Sequence, residues 1–201
     1  MKMLSARILL VLLLGLSSCA SPMPERAIFD LKSVPPDRQI IMGKVEFHAP
    51  LGENEQILKS PAGEQFKGMI LLHAGGSLRD FKQKRLTSFD GTFLVDPEKE
   101  FYVKIVKNPV FYLSGVSFYA VYDPPYAIET PAFLAPLKTD LRADDDAIYI
   151  GTIQYFRDEN NKLKSVAVRD DFKWAEGVFH EKFGPNRTLR KALVLPVGPA
   201  K

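Results

Sequence analysis

The sequence predicts a mainly β protein: an antiparallel β-sandwich with one carboxyl-terminal α-helix, preceded by a signal peptide and a proline-rich tether. Apolar and polar residues alternate from residue 39 to residue 48, which is the period of a strand with one buried face. Further short apolar runs are separated by turn residues, a pattern typical of sandwiches and irregular barrels. One segment near the carboxyl terminus instead has apolar residues at near-helical spacing.

The first eighteen residues are organised like a secretory signal peptide. Lys2 and Arg7 provide a basic start, and residues 8–16 are an uninterrupted run of apolar residues and glycine. A membrane-spanning helix needs about 20 apolar residues, so this run is too short to span a bilayer. A basic start, a short apolar run and small residues at its end are features of a removable signal. We therefore expect residues 1–18 to be cleaved from the mature chain.

This signal ends in Leu16-Ser17-Ser18-Cys19, which resembles the lipobox of bacterial lipoproteins. The resemblance implies cleavage before Cys19, a diacylglycerol thioether on its sulfur, and acylation of its α-amine by a fatty acid such as palmitate. The chain has one cysteine, and it lies at this position. Several acyl chains anchor a protein stably, whereas one anchors it only marginally. The alternatives are a signal peptide cut elsewhere and a cytosolic protein with an apolar amino terminus.

Residue 20 is alanine. In enteric-type lipoproteins an aspartate directly after the lipidated cysteine retains the protein in the inner membrane. The resemblance therefore implies a lipid anchor in the outer membrane. We expect the protein on the periplasmic side of that membrane, with exposure on the cell surface as the alternative.

A tether is predicted from residue 19 to residue 38, because four prolines in this segment favour an extended, semi-rigid chain. Cleavage before Cys19 would leave a mature chain long enough for one domain with a core. Without Lys2 and Arg7, the 27 basic residues become 25 against 24 acidic ones, which leaves the chain almost neutral. Nucleic-acid binding is therefore not indicated.

The sandwich domain is predicted to extend from residue 39 to residue 186. After the first strand, the apolar run at residues 68–73 predicts a buried strand, and residues 81–86 predict a more charged edge strand. Asp90-Gly91 lies between apolar residues and suits a tight turn between strands. Residues 101–106 then alternate as a further strand.

This order of an apolar strand, a Gly-Gly loop, a polar strand, Asp-Gly-x-Phe and an aromatic strand resembles the carboxypeptidase-regulatory-like, or prealbumin-like, β-sandwich. The resemblance covers residues 68–106 and implies a sandwich fold. The chain departs from the family pattern at residues 96–100, where Asp-Pro-Glu-Lys-Glu replaces the usual Pro-Gly.

Strand patterns continue at residues 110–122, 132–134, 147–156 and 163–168, and a polar hairpin loop at residues 158–162 joins the last two.

One helix is predicted over about residues 171–183. Asp170 or Asp171 is suited to cap its amino terminus, and Gly184-Pro185 ends it. Gly177 costs such a helix about 1 kcal/mol relative to alanine, so we expect its Phe-rich face to be held against the sheet.

Beyond the helix, residues 187–201 are predicted to form a solvated basic tail, with contact to anionic lipid or another protein as the alternative. The run from residue 147 to residue 153, followed by Asp170-Asp171 and the helix, resembles a recurring ending of bacterial envelope lipoproteins. That resemblance implies no activity.

The residues give no sign of catalytic chemistry. His48, His73 and His180 lack metal-ligand spacing, and His180-Glu181 lacks the second histidine of a zinc-protease helix. The sequence has no nucleophile elbow, phosphate-binding glycine loop or dinucleotide fingerprint. We therefore expect no enzyme activity, cofactor or metal, with a carboxylate pair assembled from distant residues as the alternative.

An acidic cluster is formed by Asp140, Asp144, Asp145 and Asp146. Its spacing does not match a calcium-binding loop, so we interpret it as a solvated loop, with a weak cation site as the alternative.

Four tyrosines form a candidate surface for a ligand or partner: Tyr112, Tyr119, Tyr122 and Tyr126. They lie near Pro124-Pro125, and aromatic rings with a polar tip suit exposed binding platforms. Because one face of these strands must build the core, we weigh a role in the core above the exposed surface.

Together these features predict a membrane-anchored envelope lipoprotein that is a non-enzymatic accessory or protein-interaction module, with an envelope protein as its partner. The alternative function is binding of a small ligand or glycan at the Tyr/Pro-rich surface. An enzyme with dispersed carboxylates is the third hypothesis.

Overall fold

The computed structural model describes the greater part of the chain. The described residues are 25–26, 37–52, 55, 57–59, 65–67, 69–74, 91–97, 99–107, 109–118, 120–121, 128–129 and 131–197. The predicted signal peptide, Cys19, most of the predicted tether and the predicted strand at residues 81–86 lie outside them. Within the described ranges, no helix is both long and apolar enough to cross a membrane.

These residues form fifteen strands and one helix, α1 (Phe172–Phe183). The strands are β1 (Glu25–Arg26), β2 (Arg38–His48), β3 (Ile57–Lys59), β4 (Gln65–Lys67), β5 (Ile70–Ala74), β6 (Gly91–Val95), β7 (Glu100–Val106), β8 (Val110–Ser117), β9 (Ala120–Val121), β10 (Ile128–Glu129), β11 (Ala132–Asp140), β12 (Ala147–Arg157), β13 (Leu163–Arg169), β14 (Leu189–Lys191) and β15 (Leu195–Pro196).

Two main sheets face each other, which confirms the predicted β-sandwich with one helix. The first has six strands in the order β1-β6-β5-β8-β11-β15, and the second has the order β13-β12-β2-β7 with β14 also paired to β12. The short pairs β3-β4 and β9-β10 lie apart from both sheets. Gly91, predicted to lie in a tight turn, is instead the first residue of β6 and pairs with Ala74.

The central pairing of the second sheet is parallel, although most neighbouring strands are antiparallel. β2 pairs with β12 from Ile40 opposite Ala147 to His48 opposite Phe156, and β14 is also parallel to β12. β1, within the predicted tether, pairs in parallel with β6. Alternation along a strand predicts which side chains are buried but not the direction of the neighbouring strand, so the sequence did not indicate these pairings.

The main core fills the space between the two sheets. Along β2, Ile41, Val45 and Phe47 point into it, as the alternating pattern predicts. Phe47 packs edge-on against Phe118 with ring centroids 5.8 Å apart, and stacks on Tyr155 at 5.7 Å. Such aromatic pairs contribute to stability beyond the area they bury.

Helix α1 packs on part of the outer face of the second sheet and buries a smaller core there. Ala175 and Phe179 are fully buried against sheet residues that include Met42 and Tyr149. The Asp170 carboxylate accepts a hydrogen bond from the Phe172 backbone N–H at 3.1 Å, at the predicted start of the helix.

The helix ends where the sequence predicts. Gly184 has a φ of 87°, a conformation that favours glycine, and its N–H donates to the His180 carbonyl oxygen at 2.8 Å.

The segment after the helix is not a solvated tail over residues 189–196. β14 pairs with the first half of β12, and β15 pairs with β11, so the segment adds a strand to each sheet. Val194, between these two strands, is fully buried and its side chain packs in the main core. Its N–H donates to the Ile150 carbonyl oxygen at 3.0 Å. Apolar residues among the basic ones therefore decide the conformation of this segment.

Candidate functional site

Helix α1 covers part of the outer face of the second sheet, and polar side chains on the rest of that face form the candidate site. Strand alternation places every second side chain of β2, β12 and β13 on this face. We call it the polar face, and it comprises Lys44, Glu46, His48, Gln154, Phe156, Arg169, Asp171 and Trp174.

Glu46 is the centre of the polar face. Its carboxylate accepts hydrogen bonds from Lys44 Nζ at 3.1 Å, Gln154 Nε2 at 3.0 Å and both terminal nitrogens of Arg169 at 3.0 and 3.1 Å. Burial alone would raise the pKa of Glu46, but these hydrogen bonds and the Arg169 charge outweigh it and lower the pKa to about 2. Glu46 is therefore ionised at neutral pH, and its carboxylate joins donors from β2, β12 and β13.

Arg169 connects this network to the start of helix α1. Its Nε donates to Asp171 Oδ2 at 2.7 Å, and the Thr152 hydroxyl donates to the same oxygen at 2.9 Å. The polar side chains are thus joined from β2 across β12 and β13 to the helix.

Aromatic rings lie at two ends of the polar face. Trp174 is 42% exposed, and Lys44 Nζ lies 6.0 Å from the centroid of its ring. At the other end, the exposed His48 ring stacks on Phe156 with centroids 4.6 Å apart and planes 10° apart. His48 Nε2 also lies 3.2 Å from Gln154 Nε2, so Gln154 contacts both Glu46 and His48.

A cleft of about 320 Å³ adjoins the polar face. It is lined by Lys44, Glu46, Phe47, His48, Pro50, Leu51 and Pro97. β7 pairs with β2 only as far as Lys44, so the cleft lies beside the second half of β2, which has no paired strand on that side among the described ones.

The wall of this cleft is fixed by a buried arginine. Arg157 Nε donates to the Ala49 carbonyl oxygen at 2.9 Å, and its Nη2 donates to the Pro50 carbonyl oxygen at 2.6 Å. The same guanidinium forms a two-point pair with Glu55 and a hydrogen bond to Asn161 Oδ1. Burial would raise the pKa of Glu55, but the bonds from Arg157, Gly52 and Asn161 lower it to about 2.

One residue of the acidic cluster, Asp145, is buried and ion-paired rather than solvated as the sequence predicts. Asp145 is 7% exposed and accepts bonds from Arg190 Nε and Nη2, both at 2.6 Å, and from the Arg142 N–H at 2.9 Å. Arg190 belongs to the segment predicted as a solvated tail, and it holds that segment to the loop before β12. Asp140, Asp144 and Asp146 are exposed, and no metal-binding group was found among the described residues.

A buried histidine lies on the first sheet. His73 Nε2 is 2.7 Å from Ser117 Oγ, and the Thr92 hydroxyl lies 3.4 Å from His73 Nδ1. Burial lowers the pKa of His73 to about 4, so the imidazole is neutral at neutral pH.

The predicted tyrosine surface is described only in part. Tyr112 is half-buried on β8 and pairs with Lys138 of β11, in the first sheet. Tyr119, Tyr122 and Tyr126 lie outside the described residues, as does Cys19.

Sequence reasoning did not identify the polar face, although one signal for it was present. Lys44, Glu46 and His48 alternate on the polar side of the predicted first strand, and Trp174 is the single tryptophan of the chain. Comparison of the chain with family models, curated proteins and solved structures gave no match.

Proposed function

We propose that the protein is a lipid-anchored accessory protein of the outer membrane, on its periplasmic side, whose β-sandwich binds a partner without transforming it. The lipid is attached to Cys19, and an envelope protein is the first candidate partner. The observation that carries the binding role is the polar face, a connected and charge-balanced surface beside the exposed Trp174. An anchor of this kind raises the local concentration of the sandwich near a membrane-bound partner.

The states of the ionisable groups favour binding over catalysis. Glu46, Glu55 and Asp145 are each paired with an arginine, and their pKa values are lowered despite burial. A general acid must hold a proton near the working pH, and these carboxylates are ionised there. These three carboxylates are therefore unsuited to act as general acids and serve as hydrogen-bond acceptors.

Binding of a small ligand or glycan is the second candidate function. The sequence assigns it to Tyr112, Tyr119, Tyr122 and Tyr126. The exposed indole of Trp174 favours the same function at a different surface, because aromatic rings beside fixed polar groups are typical of ligand sites.

The anchor is tested by replacing Cys19 with serine and fractionating the cells. The wild-type protein is expected in the membrane fraction at its processed size. The C19S variant is expected to remain unprocessed or to leave the membrane. A C19S protein that stays membrane-bound at the processed size would contradict lipid attachment at Cys19.

The binding role is tested by crosslinking in intact cells, followed by affinity purification and mass spectrometry. Three variants are compared with the wild type: Trp174→Ala, the double variant Tyr119→Ala/Tyr122→Ala, and the control Lys138→Ala on the first sheet. A partner lost only with Trp174→Ala supports the polar face as the binding surface. A partner lost only with the tyrosine variant places binding on the Tyr/Pro surface, and no partner in any sample contradicts the protein-interaction role.

A further inference from the structure

The charge balance of the polar face indicates what kind of ligand it suits. Lys44 and Arg169 are balanced by Glu46 and Asp171, and hydrogen bonds of 2.7 to 3.1 Å join these acids and bases. An ionic ligand would have to break one of these pairs and leave a charge uncompensated. A neutral ligand can bond to the donors that these pairs leave over, such as further N–H groups of Lys44, without disturbing the pairs.

The distance between Lys44 and His48 on β2 indicates the size of the ligand. Lys44 Nζ lies 6.0 Å from the centroid of the Trp174 ring, and His48, four residues further along β2, stacks on Phe156. A strand rises about 3.3 Å per residue, so these positions are roughly 13 Å apart. A ligand that reaches both ends has more than one ring.

A protein partner would have to bind the centre of this surface through polar contacts. Cores of protein interfaces are depleted of charged residues, whereas the polar face has Glu46 and Arg169 at its centre. Among the described residues, the large apolar side chains that are exposed are Trp174 and Leu195, and Leu195 belongs to the other sheet. The polar face therefore lacks a contiguous apolar patch.

We propose that the polar face binds a neutral oligosaccharide. A sugar ring presents C–H groups on its face and hydroxyls around its edge, so its face can stack on Trp174. Its hydroxyls can accept hydrogen bonds from Lys44 Nζ, which has three N–H groups, and donate to Gln154 Oε1. Hydrogen bonds to charged groups are stronger than those between neutral groups, and the network is already oriented. The adjoining cleft of about 320 Å³ lies at the lower end of the range for small-molecule sites and can hold a further ring.

This inference rests on the proposed binding role, because it names the ligand class of the same surface. Trp174 is the single tryptophan of the chain, so its fluorescence reports on the polar face alone. The full chain is purified in a detergent without a sugar headgroup and titrated with chitotetraose, cellotetraose and maltotetraose. We expect a saturable change in emission with at least one of them. No response to any of the three overturns the inference.

Variants locate the binding. Gln154→Ala and His48→Ala are each expected to weaken the affinity by roughly three- to tenfold, the effect of losing one neutral hydrogen bond or one stacked ring. Lys138→Ala is the matched control and is expected to bind like the wild type. Equal affinity in all three variants would place the saccharide elsewhere and overturn the inference.

The result also separates this inference from the proposed function. If no saccharide binds but crosslinking in cells captures a protein that the Trp174→Ala variant loses, the ligand class is wrong and the binding role stands. If neither saccharide nor protein binds, both are contradicted.

Discussion

Arg157 and Glu55 form a two-point ion pair, with Nη1–Oε1 and Nη2–Oε2 distances of 2.7 Å, although they are 102 residues apart in the sequence. Their side chains are 7% and 17% exposed. The pair joins β12 to the loop that follows β2. Pro50 and Leu51 of that loop line the cleft beside the polar face, so the pair fixes the shape of the candidate site.

Replacing Arg157 with methionine is expected to destabilise the fold by about 3–5 kcal/mol, because it leaves the mostly buried Glu55 carboxylate without its base. Urea unfolding of the purified protein measures the change. Lys164→Met is the control, since Lys164 is 61% exposed in its pair with Asp158 and exposed pairs contribute about 0–1 kcal/mol. Similar small changes in both variants would contradict a structural role for Arg157.

Two buried tyrosines differ in whether their hydroxyls are hydrogen-bonded. The Tyr155 hydroxyl is buried and has no partner among the described residues, whereas the Tyr149 hydroxyl lies 3.4 Å from Thr152 Oγ1. An unpaired buried polar group is costly, so Tyr155→Phe is expected to leave stability unchanged or to raise it by about 1 kcal/mol. Tyr149→Phe is expected to lower it by roughly 0.5–1.5 kcal/mol. Thermal unfolding of both variants tests the difference, and the opposite order would contradict it.

Gly177 is expected to be a poor residue for its position in helix α1. It is exposed, and a Cβ added there meets no atom within 4 Å. Gly177→Ala should therefore stabilise the protein by up to about 1 kcal/mol. Gly115→Ala is the contrasting variant, because its φ is +150° and a Cβ would lie 2.1 Å from the Phe133 carbonyl oxygen. We expect that variant to be destabilised, and a stability gain there would contradict the described backbone.

His73 is expected to make stability depend on pH between about 6.5 and 4. Its pKa is lowered to about 4 in the folded chain, so in this window the unfolded chain binds a proton that the folded chain does not. Stability should therefore fall with decreasing pH, by up to about 3 kcal/mol at pH 4. Glu46 and Glu55 contribute a separate loss, which begins near pH 4.5 and continues toward pH 2.

Chemical unfolding at several pH values tests this assignment. The His73→Gln variant removes the titrating group, so its stability should change less between pH 6.5 and pH 4.5 than that of the wild type. The loss below pH 4.5 should remain in both proteins. An unchanged slope in the upper window would mean that His73 is not the group responsible.

Much of the fold could be predicted from local patterns. The alternation of β2 and the spacing of Phe172 and Phe179 each reflect one buried face, which a sequence displays directly. The strands β14 and β15 could not be predicted from local patterns. Leu189 and Val194 in this segment lie close to basic residues in the sequence, and their burial depends on strands elsewhere in the chain.

The candidate site could not be predicted in the same way. The polar face exists because β2 lies in parallel beside β12, which brings Glu46 opposite Gln154 although they are 108 residues apart. The pairing of Asp145 with Arg190 is likewise non-local, since the two residues are 45 positions apart. Asp145 therefore holds β14 to the loop before β12, although its sequence context predicts a solvated residue. Such contacts follow from topology, which the local pattern does not determine.

Crosslinking from defined positions in intact cells tests the polar face as a binding surface most directly. A photoreactive amino acid replaces Ala167, which is exposed and lies opposite Gln154 on the polar-face side of β13, or Lys138 on the first sheet, each in the full-length chain. We expect an adduct, glycan or protein, from position 167 that is absent from position 138. No adduct from position 167, or the same adduct from both positions, would contradict the assignment of the polar face as the binding surface.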